Sequence, residues 1–121
     1  ENKCVWVNGP YRGAKHDLTI FREKLRYKIK QGKFVIADRG YFSNKEIDIM
    51  LSIPNQFNNK VLHNFKSRAR LRHESFNGRI KKYRSMKYTW ELSTEKHKIA
   101  FEAVVVTLQY ALDNGSYLFD I

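Results

Sequence analysis

A chain of 121 residues can bury one core but is too short for two comfortable ones, so a single domain over residues 1–121 is expected. With 42% apolar and 14% aromatic residues it is not a disordered chain, and no apolar run approaches the ~18 residues that cross a bilayer. The formal net charge of +11 instead asks for a polyanionic partner, either nucleic acid or an anionic membrane surface.

In chain order, the amino end "ENKCVWV" lacks an initiator methionine and the charged-then-apolar build of a leader. It is read as part of a longer protein, entering a strand almost at once. "CVWVN" (4–8) is that strand, ended by the turn signal Asn8-Gly9-Pro10. The single cysteine, Cys4, has no internal disulfide partner, which suits a reducing compartment, and its β-branched setting makes it buried filler. No zinc-ligand spacing links the four histidines, His16, His63, His73 and His97. Gly9 and Gly13 lack the Lys-Ser/Thr ending of a phosphate-binding P-loop.

Leu18, Phe21, Leu25 and Ile29 recur at helical spacing through "LTIFREKLRYKIK", with Asp17 as the expected N-cap and Gly32 as the stop. "KFVIAD" (33–38) is a short apolar run that suits a strand buried on both faces. Asp38 ends it, where open α/β sheets place ligand-handling groups, although "ADRG" also makes an ordinary turn. Ser43 or Asn44 caps a short helix through "KEIDIMLS", and "IPNQFNN" is a polar loop.

From Val61 to Lys87 runs the longest helical pattern, with Phe65, Ala69, Phe76, Ile80 and Tyr83 on one side. Arg70, Glu74, Asn77 and Lys81 form a second, polar stripe. Glu74 and Phe76 are two residues apart and so point in nearly opposite directions, Phe76 inward and Glu74 outward or into a cleft. The last helix, Thr94 to Leu112, carries Phe101, Val104, Val105, Leu108 and Leu112 as core packing and ends at Asn114-Gly115. Strand, helix, strand, short helix and two long helices make an α/β pattern, a small sheet covered by helices.

Charge is concentrated in one place. Lys60 to Lys87 holds ten lysines and arginines against Glu74 alone. A membrane-surface helix would oppose such a face with bulky apolar residues throughout, whereas the apolar stripe here is narrow, so nucleic acid is favoured. A surface ion pair of Glu74 with Arg70 would be worth ~0.3–0.5 kcal/mol, but one glutamate cannot neutralise the surplus of cations. Two-metal phosphodiester chemistry, by contrast, needs carboxylates around paired Mg²⁺ ions, with cations holding the phosphate backbone. Asp38 from a strand end and Glu74 from a helix are the acids suited to it.

The strings "GPYRGAKHDLTIFREKL", "FVIADRGY" and "RARLRHESFNGRIKKY" resemble the later half of the catalytic domain of DDE-superfamily transposases, with the closest likeness to Harbinger-type elements and their domesticated nuclease-like relatives. The resemblance runs from Val5 to about Tyr110. It implies a ribonuclease-H-like α/β fold, present here as its carboxyl-terminal part, with the first catalytic strand absent. It also implies an Asp-Asp-Glu triad holding two Mg²⁺ (or Mn²⁺) ions that cuts and joins DNA. By position, Asp38 is similar to the second aspartate and Glu74 to the glutamate, with 35 residues between them, and both would be metal ligands. The first aspartate would lie upstream, leaving the isolated chain inactive, and Asp17 does not replace it. Arg70, Lys81 and Lys82 become the expected DNA-backbone contacts, Tyr41 and His73 packing or supporting residues. DNA is the implied partner, with a possible homo-oligomer and no membrane, and the location would be nuclear in a eukaryote and otherwise intracellular. The alternatives are a catalytically inactive, domesticated DNA-binding module and, last, a basic protein–protein adaptor.

Overall fold

Val35 and Ile36 form a two-residue strand, β1, which pairs in parallel with β2, Leu51–Ser52, in the register Val35↔Leu51 and Ile36↔Ser52. The computed structural model describes residues 3–41, 51–52 and 58–119. Ala37 N–H donates to the Ser52 carbonyl at 3.0 Å and extends the ladder by one bond. Strand structure therefore occupies only the centre of the expected 33–38 segment. Phe34 at its start is largely exposed and Asp38 at its end turns away. The expected caps Ser43 and Asn44, and residues 45–50 of the short helix, lie outside the described residues. Leu51 and Ser52, placed in that helix by the sequence pattern, are strand.

α1 runs over Asp17–Glu23, preceded by His16 in an extended conformation. Asp17 is thus the first helical residue and not the N-cap. Its carboxylate still complements the positive end of the helix dipole. The helix stops seven residues short of Lys30: Lys24 departs from helical dihedrals and Leu25–Lys28 tightens into a 3₁₀ turn. That departure keeps Leu25 and Ile29 against the cluster of buried Phe21, Ala37 and Leu51, together with Leu18, Val35 and Tyr41. Gly32, at φ 77°, takes the left-handed turn that follows.

The long helix α2 spans Lys60–Ile80, its start capped by the Asn59 side chain accepting from Leu62 N–H at 3.0 Å. It does not continue to Lys87. Lys81 N–H still reaches the Asn77 carbonyl, but Lys82 and Tyr83 bond three residues back, and a separate turn, α3, forms over Arg84–Lys87. The break has a packing reason. On a straight helix Met86 would point about 120° away from Ile80, whereas both pack on one cluster. α4, Thr94–Asp113, matches its predicted span closely. Ser93 Oγ accepts from Lys96 N–H at its start, where the Trp90 ring also stacks on His97 at 4.9 Å. At its end Gly115 has φ 99° and Ser116 N–H returns to the Ala111 carbonyl, a Schellman closure.

The chain divides into two compact units, Arg12–Leu71 and a second made of Glu1–Tyr11 with Arg72–Asp120. The first holds the sheet and the Phe21 cluster. The second is built on Phe76, Ile80, Val104, Val105, Leu108 and Leu112, with Cys4, Met86, Phe101 and Leu118 at its margin. The expected strand at 4–8 is not one, although its burial alternates as a strand's would, Cys4 and Trp6 inward, Val5 and Val7 outward. Cys4 N–H is satisfied by the Gln109 side chain at 2.7 Å instead of by a neighbouring strand. Together the elements are helices with a short parallel sheet, compatible with an α/β fold.

Candidate functional site

Asp38 stands at the carboxyl end of β1, immediately after the last ladder bond. Its Oδ1 accepts from Gly40 N–H at 2.9 Å and its carbonyl from Tyr41 N–H at 3.2 Å, winding Arg39–Tyr41 into a 3₁₀ turn. The turn reading of Asp38 therefore holds. One oxygen shapes the backbone, while among the described residues Oδ2 has no hydrogen-bond partner and the side chain is exposed. Gly40 keeps this arrangement open, because a Cβ there would lie 3.1 Å from Asp38 Oδ1.

Tyr41 is the best-placed neighbour. Its ring is half-buried against the Phe21 cluster. Burial, then the Asp17 carboxylate, then that of Asp38, push its hydroxyl from the ordinary 10.0 up to about 12. The phenol stays protonated, and the two aspartates lie close enough to act on one hydroxyl. Asp17 thus joins Asp38 at the head of α1, an association that 20 intervening residues conceal in the sequence.

Glu74 behaves as its spacing predicts: exposed on α2, while Phe76, 9% exposed, is seated in the core. Arg70 precedes it by four residues on the same helix and is half-buried; both are engaged in polar interactions. Lys81 and Lys82 are exposed in the turn that closes α2. Asp38 and Arg70 belong to the Arg12–Leu71 unit, and Glu74, Lys81 and Lys82 to the other. The apolar stripe is less regular than expected. Phe65 is 49% exposed, and the buried side chain of that stretch is Lys66, at 4%. A lysine stem can lie along apolar surface while its head finds a polar partner.

Arg79 was given no special role by its place in the sequence, yet it is tightly engaged. Its guanidinium donates to the Ser116 carbonyl and hydroxyl and to the Tyr117 carbonyl. No sequence pattern signals this, because its partners lie 37 and 38 residues further along the chain. Among the described residues, no three or more His, Cys, Asp or Glu side chains gather into a metal cage.

A family model described as "DDE superfamily endonuclease" matches residues 1–114. No curated protein and no solved structure matches significantly. A match over nearly the whole length, on a chain whose strand-end aspartate and basic helix lie inside it, shows that this chain belongs to the DDE superfamily of endonucleases.

Proposed function

We propose that the chain is the carboxyl-terminal part of a ribonuclease-H-like catalytic domain from a Harbinger-type DDE transposase, or a nuclease derived from one, folded as a single domain and cutting and joining DNA phosphodiester bonds. The observation that carries this reading is Asp38, a strand-end carboxylate with an outward oxygen, inside the family match. Its hard oxygen donors suit Mg²⁺, which takes one or two carboxylates per ion and keeps several waters. When bound, two such ions would activate the attacking oxygen and steady the leaving one. Asp38 and Glu74 would hold them, with a further acid supplied from outside these residues. Gly40 N–H fixes the Asp38 carboxylate, and the protonated Tyr41 adds no negative charge beside it. Arg70, Lys81 and Lys82 would grip the phosphate backbone without reading sequence. In a eukaryotic host the site of action would be the nucleus.

In the full-length protein, Asp38→Asn or Glu74→Gln is expected to reduce Mg²⁺-dependent nicking of DNA at least ~100-fold, with the circular dichroism spectrum unchanged; retained cleavage by either variant refutes the assignment. Mn²⁺ offers a readout independent of turnover. Paramagnetic broadening of the Gly40 and Tyr41 amide resonances, lost in Asp38→Asn, is expected of the enzyme. An inactive DNA-binding module would bind DNA in a salt-sensitive way with those signals unaffected.

A further inference from the structure

Beside the end of α2 the second unit holds a cleft of about 420 Å³ lined by Arg79, Lys82, Tyr83, Leu108, Ala111 and Ser116. Each side has a different chemistry. Leu108 and Ala111 give an apolar floor from α4. Tyr83 stands at the wall, 38% exposed, so its ring is available to a ligand. Arg79 is anchored by Ser116 and Tyr117, but its partners there are neutral oxygens, so its positive charge is not cancelled. Lys82 adds a second, exposed cation, Ser116 a hydroxyl, and among the described residues no acid lines the cleft.

A flat apolar wall and floor beneath two cations fit a ligand with a planar ring and a phosphate. We propose that this cleft receives one unpaired nucleotide of a DNA strand, its base against Tyr83 and its phosphate between Arg79 and Lys82. Charge complementarity chooses the occupant, since Arg79, Lys82 and Tyr83 of the cleft belong to the stretch from Arg72 to Lys87, which holds six lysines and arginines and one acid. The volume lies within the range of small-ligand sites, roughly 300–1,000 Å³, and would be far too small for duplex DNA. Stacking on an aromatic ring tolerates any base, so the site would distinguish unpaired from paired DNA and not one sequence from another. The inference rests on DNA being the substrate and adds a preference within it.

The test is fluorescence anisotropy with two labelled duplexes alike except for a single unpaired thymidine in one. The unpaired site is expected to tighten binding by about tenfold, the scale of one base–aromatic stack. Tyr83→Ala should abolish that advantage while leaving affinity for the fully paired duplex intact, and Tyr83→Phe should restore it. Equal affinity for the two duplexes, or an advantage that survives Tyr83→Ala, overturns the cleft assignment and leaves DNA binding standing. Failure of both duplexes to bind at low salt overturns the DNA reading as well. Displacement of the bulged duplex by thymidine monophosphate at matching concentration would reassign the cleft to free nucleotides.

Discussion

Tyr41 makes the strand-end site measurable in solution without any turnover. Its hydroxyl is raised to about 12 in the fold, while in the unfolded chain it titrates near 10.0. The folded state therefore holds this proton where the unfolded state has released it, and stability falls as pH rises from about 10 to about 12. Below 10.0 both states are protonated and the contribution is constant. Urea titrations of the wild type and Tyr41→Phe across that window should show a steeper loss in the wild type, by an amount limited by the partial solvent exposure of the ring. At this scale the sequence was partly legible. Asp38 was visible as the acid ending an apolar run, and its turn as Asp-Arg-Gly. Asp17 was misread as a cap, because Asp heading a helix satisfies the N-cap pattern, yet His16 takes the capping position in the backbone. That Asp17 and Asp38 act on one tyrosine depends on how α1 folds over the strand, which no local pattern encodes.

Among the elements, α4 was the most legible, since its apolar stripe and the glycine after it agreed, while the Ser93 cap became visible only in the fold. Ser93→Ala removes the acceptor for Lys96 N–H and should cost about 1 kcal/mol. Gly115→Ala forces a side chain into a left-handed position and should cost about 1–2 kcal/mol. Chemical denaturation of the chain measures both, and a loss below ~0.3 kcal/mol in either would mean that the caps do not hold the helix. The segment 4–8 misled for the opposite reason. Its alternation is real and seats Cys4 and Trp6 inward, but a strand also needs a partner ladder, and Cys4 finds a side-chain amide instead. Nor could helical periodicity locate the end of α2. The apolar pattern runs smoothly to Tyr83, and only the need to bring Met86 onto the same cluster as Ile80 ends the helix early.

For the molecule as a whole, charge is the property most fully determined by composition alone. A chain at +11 whose cations are concentrated in one stretch should bind DNA with a steep salt dependence. Lys81→Ala combined with Lys82→Ala is expected to weaken binding about equally on all duplex sequences and to lower the slope of log K against log[salt] by about 2. Anisotropy titrations between low and physiological salt report this directly. An unchanged slope would remove both lysines from the interface. The family could be read from three short strings because chemistry constrains them, whereas the way the chain divides between its two units left no trace in residue order.

The grip of Arg79 on Ser116 and Tyr117 closes a loop 37 residues long without a covalent bond. Within it, Tyr88, Glu91 and Leu92 are exposed and contribute nothing to the Phe76–Leu112 cluster. A peptide bond broken in that stretch would leave two pieces still buttoned together, through one guanidinium and a shared greasy seam. The far end of the helix bearing Glu74 is therefore tied to the chain beyond α4 by Arg79 as well as by the side chains it buries.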